Sequence, residues 1–486
     1  IVNFNYTQLL LAFSPEITLI IGACLVLGAD FITQKLVPLN QRITQSILVG
    51  LITLVASGYL SYTSNQALDI PGIITFDPLA YGSRLCIIIL TTLVVCSLGA
   101  TPGRTQPAEY ISLLLLGTSG LIVMPASQNI ILGFLALELA SLSLYILTGF
   151  DRSRSRSSEA GMKYFILGST AAAFLLFGIS LIYGATGSVD LNLIASHLNS
   201  HPLTPLTKIS LIFIIVGFGF KTAAAPFHLW APDVYEGAPV TSAALISSVS
   251  KLAGFAFFTR LLCLGLAPLR GNLSFKDSSA GWLILLAVLT LASLLIGNLG
   301  ALAQTNIRRL LAYSAIAHTS TLIIALMIFN TTGASLIIYY TLTYGCALIG
   351  IFTILGLLDP EYKSGLITDL AGLSKRSPLL AGLLGLYTLS LAGIPPLAGF
   401  FGKFFVFTFA LKSQGLSSPL GILVLAGILF SAVALYYYLG ILKQIFVKPC
   451  TQAPLTIKLN VATLAALILT ALVIVVLGIA PQLIVN

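Results

Sequence analysis

Five side chains able to exchange protons lie inside apolar stretches of this chain. Glu138 is in NIILGFLALELASLSLYIL, Lys251 in VTSAALISSVSKLAGFAFF and His318 in LAYSAIAHTSTLIIALMIF. Lys221 and Lys403 lie beside proline interruptions, in GFGFKTAAAPFHLWAP and LAGIPPLAGFFGKFF, with Pro226, Pro395 and Pro396 as the breaks. A lysine at the centre of a bilayer costs about 2.5–3.5 kcal/mol, and a broken membrane helix persists only where protein or water satisfies its freed backbone. Two lysines beside breaks, one in each half of the chain, point to an ion pathway.

The chemistry such a set performs is proton transfer. A nearby carboxylate favours the charged form of an amine, and its withdrawal favours release, so an opening and closing Glu–Lys pair works as a switch. The titration then belongs to the pair. An imidazole, with an ordinary pKa near ~6.5, relays between such groups. Each residue also has a plainer reading. Glu138 can be a protonated carboxyl bonded between helices, with Ser141 and Tyr145 on its helical face. Lys251, with Ser247 and Ser248 one turn back, can snorkel. Lys221 can reach an interface if Pro226 ends its helix. His318, with Ser314 and Thr321 on its face, can be a buried, singly bonded histidine. His228 is expected to order the broken helix, and His197 and His201 to be solvated. Arg84 is expected to pair with Asp77 or snorkel, and Lys163 to snorkel beside Arg152, Arg154 and Arg156.

The elements that must hold these groups follow from composition. The 486 residues are 57% hydrophobic and 8% charged, with mean hydropathy +1.02, against about 25% charged in soluble domains. The chain is therefore an all-α polytopic membrane protein. At about 20 apolar residues per span, about fourteen transmembrane helices fit, beginning near Pro15, Thr44, Leu79, Ala108, Gln128, Ala160, Lys208, Val240, Ala280, Leu311, Ala334, Pro378, Pro419 and Asn460. With the N-terminus outside, loops after odd-numbered spans hold most of the lysines and arginines, including Arg104, Arg152, Arg154, Arg156, Arg308, Arg309, Lys363 and Lys458. Loops after even-numbered spans hold few, Lys276 among them, which places both termini on the outer side. The net charge of +9 thus reports topology, and nucleic-acid binding is not expected.

Other chemistries find no support. The six cysteines, Cys450 included, are scattered with no CxxC pair, against a metal, haem or iron–sulfur centre here. Neither a G-x-G-x-x-G after a strand nor a Walker A sequence occurs, so no nucleotide site of those kinds is expected. The start at Ile1, without a basic secretory n-region, leads us to expect that a segment upstream is missing. The longest polar connections run over 187–207 and 358–377.

Four segments organise the chain. Residues 1–107 form an N-terminal three-helix segment, 108–265 and 280–445 two five-helix units each with a broken, lysine-bearing span, and 446–486 a last helix. Five helices per unit, an odd number, inverts the second copy relative to the first, as in transporters whose sites lie where discontinuous helices meet.

The stretches GFGFKTAAAPFHLWAPDVYEGAPVTSAALISSVSK, EAGMKYFILG, RRLLAYSAIAH and GIPPLAGFFGKF closely resemble subunit 2 of NADH dehydrogenase, respiratory complex I. This is one of its antiporter-like, proton-pumping membrane subunits. The resemblance covers nearly the whole chain, and PFHLWAPDVYEG favours subunit 2 over subunits 4 and 5. It implies inverted repeats of helices 4 to 8 and 9 to 13, broken helices 7 and 12, and proton translocation through Glu138, Lys221, Lys251, His318 and Lys403. Cofactors are then expected in other subunits (FMN, iron–sulfur clusters, NADH and quinone) and none in this chain. Expected partners are subunit 4, the small subunits 4L, 6 and 3, accessory subunits and lipids such as cardiolipin. ELASLSLY and SSEAGMKYFILG suggest the mitochondrial inner membrane, with a bacterial plasma membrane or thylakoid as alternatives. A multisubunit cation/proton antiporter is a second reading, and a purely structural membrane spacer a third.

Overall fold

In hydrocarbon each backbone N–H and C=O must bond within its own segment, and the long apolar runs accordingly fold as helices. The computed structural model describes residues 6–64, 68–100, 106–201, 204–275, 279–328, 331–359, 365–449 and 459–484. Arg104, Lys276, Lys363, Lys458 and Cys450, used above for topology and cysteine spacing, lie outside the described residues.

A short α1 (Tyr6–Ala12) precedes three helices, α2 (Ser14–Thr33), α3 (Leu39–Thr63) and α4 (Pro78–Cys96). Next come α5 (Pro107–Val123), α6 (Ile130–Thr148), α7 (Ser155–Thr186) and a short α8 (Leu191–Ser200). The following crossing is split into α9 (Pro205–Thr222) and α10 (Trp230–Gly237). Another runs through α11 (Val240–Leu245), a π-helical turn (Ile246–Ser250) and α12 (Lys251–Arg260). The second half holds α13 (Trp282–Leu302), α14 (Ile307–Met327), α15 (Thr331–Leu358) and the single turn α16 (Leu373–Arg376). It continues with α17 (Pro378–Ala392), α18 (Ala398–Gln414) and α19 (Pro419–Phe446), and α20 (Val461–Ile479) follows. Among the described residues thirteen helices are long and apolar enough to span a membrane. The crossing split into α17 and α18 makes the fourteenth.

Side-chain caps start several of these helices and satisfy N–H groups that lipid would strand. Asn129 accepts from Ile131 N and Leu132 N at 3.0 and 3.1 Å, and Asn306 from Arg308 N and Arg309 N at 2.9 and 3.2 Å. The connection over 187–207, read above as polar loop, instead carries α8, capped by Asp190. The interior is uneven: α14 and the crossing through α11 and α12 are almost wholly enclosed, whereas α2, α3 and α7 present broad apolar faces outward.

Two ion-pair assignments differ from the sequence reading. Arg84 pairs with Glu16, both of them buried, rather than with Asp77. Asp77 caps α4 and takes Arg260 Nη2 at 2.5 Å. Lys163 does not only snorkel; it binds Asp233 at 2.8 Å and Glu159 at 2.7 Å.

Asp233 is the hub of a network of ion pairs. It also receives Arg309 Nη1 at 2.7 Å, while Glu236 takes Arg309 and Arg156 at 3.1 and 3.2 Å. Part-exposed pairs contribute roughly 0.2–1 kcal/mol each and are weakened by salt. Asp233→Asn is therefore expected to cost about 1–2 kcal/mol at low salt and less at high salt. Melting of the assembled complex at two ionic strengths checks this, and a salt-independent loss counts against the ion-pair account.

Candidate functional site

Both lysine-bearing crossings are interrupted where the prolines stand. In the first, α9 ends with Lys221 in its last turn, and Ala223 takes a left-handed φ of 56° before the cis Ala225–Pro226 bond. The freed backbone is bonded by protein. Trp230 Nε1 donates to Phe220 O at 3.0 Å, Thr319 Oγ1 to Thr222 O at 3.0 Å, and Ala225 N to Ser293 Oγ at 2.9 Å. His228 lies within this interruption, as its neighbours suggested. In the second crossing α17 ends at Gly393, with φ 86°, ahead of the cis Pro395–Pro396 bond. Lys403, in the second turn of α18, folds back so that its ammonium donates to Leu391 O and Ala392 O, both at 3.2 Å. Those carbonyls form the negative end of the α17 dipole, which suits a cation.

The five residues named from the sequence come together as a line through the interior. Lys221, Lys251 and His318 are buried at 7%, 4% and 6% exposure, and Glu138 and Lys403, at either end, are half-buried. At one end Glu138, Ser141 and Lys221 line a cavity of about 10 Å³, room for about one water. The Lys221 ammonium donates to Ser141 Oγ at 3.0 Å. Glu138 Oε1 is buried with no hydrogen-bond partner among the described residues. The Glu138 carboxyl and the Lys221 amine thus line one small chamber, with no ion pair between them among the described residues.

Gly254 carries the line onward. The Lys221 stem passes 3.6 Å from where a Cβ on Gly254 would stand, on the helix that Lys251 begins. Lys251 Nζ donates to Ala315 O on α14 at 2.6 Å and lies 5.0 Å from the centre of the Tyr344 ring, a cation–π contact. One turn beyond Ala315, His318 stands between two phenols. Its Nδ1 is 2.6 Å from Tyr340 Oη and its Nε2 3.2 Å from Tyr438 Oη, which also bonds Ser314. A cavity of about 20 Å³, lined by His318, Thr321, Asn298 and Lys403, joins the histidine to the last lysine.

The surroundings of Lys251 are polar on one side and aromatic on the other. Toward the α11 end Tyr110 Oη bonds Thr241 and Ser242 at 2.8 and 2.7 Å, and Ser247 and Ser248 follow in the π-helical turn. Toward the end of α12 come Phe255, Phe257 and Phe258, with Phe218 stacked on Phe258 at 4.6 Å. Hydroxyl groups thus precede Lys251 along its crossing, and phenylalanines follow it.

The tyrosines were missed by the sequence reading. Tyr340 and Tyr344 sit in IIYYTLTYG and Tyr438 in ALYYYLG, clusters of phenols in otherwise apolar spans that signal an interior hydrogen-bonding role. Among the described residues no group of three or more His, Cys, Asp or Glu side chains could hold a metal ion.

Known proteins share this fold. Residues 127–433 match the family described as NADH:quinone oxidoreductase/Mrp antiporter, TM. NADH-quinone oxidoreductase subunit N 2 of Acidobacterium capsulatum is 41% identical over 492 residues, covering 99% of this chain and 98% of the relative. Subunit N of Desulforamulus reducens is 36% identical, with 94% of each chain covered. Among solved structures, a chain of respiratory complex I from Thermus thermophilus with bound aureothin superposes with a TM-score of 0.78 at 30% identity, covering 97% of this chain and 98% of that one. A chain of the Mrp complex from Dietzia gives 0.81 at 21% identity, a likeness of fold. The chain therefore belongs to the NADH:quinone oxidoreductase/Mrp antiporter family of membrane proteins and, within it, to subunit N of NADH-quinone oxidoreductase, respiratory complex I.

Proposed function

We propose that this chain carries protons across the membrane along Glu138, Lys221, Lys251, His318 and Lys403, driven by quinone reduction elsewhere in the complex. The observation that supports this most is the alignment of titratable side chains from the α6 carboxyl to the α18 lysine, with a small polar cavity at each end. Protons enter from the inner side, where Thr241, Ser242 and Ser248 lead to Lys251. They are handed on when Glu138 and Lys221 separate or close. Pro226, Pro395 and Pro396 hold the breaks at which the lysines meet the line.

In this reading the chain has the four segments 1–107, 108–265, 280–445 and 446–486, the middle two being inverted five-helix units. FMN, iron–sulfur clusters, NADH and quinone belong to other subunits. The antiporter-like subunit 4, the small subunits 4L, 6 and 3, accessory subunits and lipids such as cardiolipin are its neighbours. Of the three compartments weighed from the sequence, the bacterial plasma membrane is favoured over the mitochondrial inner membrane and the thylakoid, because relatives at 34–41% identity are bacterial.

Glu138→Ala and Lys221→Ala are expected to lower the proton-to-electron ratio of the complex in reconstituted vesicles while quinone reduction continues. An unchanged ratio in both variants overturns the assignment. Isolation of the chain with antiporter subunits alone, free of flavin and iron–sulfur proteins, favours cation/proton exchange instead.

A further inference from the structure

The line of lysines does not involve the N-terminal three-helix segment, yet that segment holds a charged pair deep in its packing. Glu16 begins α2 and Arg84 lies in the second turn of α4; they are 4% and 1% exposed and bonded to each other. The pair is incompletely satisfied. Glu16 Oε2, Arg84 Nε and Arg84 Nη1 are buried with no partner among the described residues, as are Ser61 Oγ, Ser83 Oγ and Thr91 Oγ1.

These stranded atoms belong to neighbouring positions. Ser57 Oγ donates to Pro15 O at 3.0 Å, setting α3 beside the start of α2. The Tyr62 and Tyr81 rings, 6.4 Å apart, and Ile88, 3.5 Å from where a Cβ on Gly58 would stand, bracket Ser61 against the Arg84 level of α4. Thr91 lies two turns further in, on the Arg84 face of α4. Its neighbour Leu90 and Ser248 both lie 3.1 Å from where a Cβ on Gly345 would stand, so α4 packs beside the polar stretch that leads to Lys251. Buried polar groups that lack protein partners are ordinarily met by water, and a charged pair inside a membrane protein is a functional candidate.

Toward the start of α4 the pair is covered. The Arg84 guanidinium is 4.9 Å from the Phe76 ring. Phe76 packs with Ala12, Ile70, Ile74 and Ala80 in a small apolar cluster separate from the main core. The charged groups around it already have partners: Asp69 accepts from Phe76 N at 2.7 Å, and Asp77, 40% exposed, takes Arg260 from the end of the Lys251 helix.

We propose that the Glu16–Arg84 pair is a water-holding proton-release site on the outer side of this chain, approached past Thr91 and covered by Phe76. The proposal rests on the reading that the chain translocates protons. Water delivers a proton to Oε2, the carboxylate oxygen that Arg84 leaves free. Neutral Glu16 loses its hold on the guanidinium, which then turns its charge to the water and the Phe76 ring. The carboxylic acid passes the proton to water on the outer side, and the returning carboxylate closes the pair again.

The test uses the whole complex in vesicles together with a high-resolution map of it. Glu16→Gln keeps the shape and a hydrogen bond to Arg84 but cannot carry the proton. The expected results are a lower proton-to-electron ratio at normal assembly, recovery with Glu16→Asp, and water density at Arg84 Nε or Nη1. A structural pair gives no recovery specific to a carboxylate and no change in ratio. An unchanged ratio in an assembled Glu16→Gln complex overturns the proposal whatever the map shows. Where that variant does not assemble, the unsubstituted map decides: dry atoms, or atoms bonded to a neighbouring subunit, overturn it, and water supports it. If Glu138→Ala lowers the ratio and Glu16→Gln does not, this site fails alone; if neither does, the pumping assignment falls first.

Discussion

Lys251→Met is expected to abolish the share of proton translocation that passes through this chain, while the complex assembles and still reduces quinone. Methionine follows the path of the lysine stem but has no group that takes a proton. The amine is buried, with Ala315 O as its hydrogen-bond acceptor and the Tyr344 ring beside it. Without it a proton between Lys221 and His318 is a bare charge on water in a narrow, largely apolar space. That costs several kcal/mol, and at 1.36 kcal/mol per tenfold the rate falls roughly a hundredfold or more. Folding should not suffer, because an apolar side chain of similar volume in place of a buried charge is often neutral or stabilising by about 1–4 kcal/mol. Lys412→Met is the matched control, since that exposed ammonium lies 5.6 Å from the Phe409 ring at the outer end of α18, away from the line. Acidification of vesicles on adding NADH and quinone reads both variants. Equal proton-to-electron ratios in the two remove Lys251 from the pathway.

The positions of the lysines, the glutamate and the breaks were legible because each violates the chemistry of its own segment. A charge in hydrocarbon and a proline within a helix are costly wherever the rest of the chain goes, so they show in one dimension. Partners did not show. His318 meets Tyr340 and Tyr438, which come from two other helices, and no periodicity within LAYSAIAHTSTLIIALMIF reports what stands opposite. Arg84 illustrates the same limit. Asp77, seven residues away, was the local candidate, but that carboxylate is turned to the α4 N-terminus and to Arg260, leaving Arg84 to a glutamate 68 residues distant. The π-helical turn before Lys251 was likewise hidden, since an extra residue in a turn leaves no signature in an apolar run of small side chains. Helix count and the order of spans were readable because hydropathy and length alone decide them in a bilayer.

The second large effect concerns how the break in the α17–α18 crossing sets Lys403. A Cβ built on Gly399 falls 1.8 Å from Ser390 O and 2.7 Å from Ser390 C, so the clash is with backbone. Gly399→Ala therefore has no flexible side chain to displace and must push α18 from the end of α17. Ser390 and the two carbonyls that hold the Lys403 ammonium belong to the same last turn, so the movement that relieves the clash also withdraws the amine from its acceptors. Overpacking of this kind costs about 1–3 kcal/mol or more, and loss of both hydrogen bonds to a charged group adds roughly 1.5–3 kcal/mol for each. Reduced assembly or a lower melting temperature, with a lower proton-to-electron ratio in whatever assembles, is the expected outcome. Gly382, on the same half-helix α17, has nothing within 4 Å of its Cβ position. Gly382→Ala should change little or stabilise by about 0.4–1 kcal/mol through the loss of unfolded-state freedom. Equal stability and equal pumping in the two alanine variants would show that the close approach of the half-helices does not place Lys403.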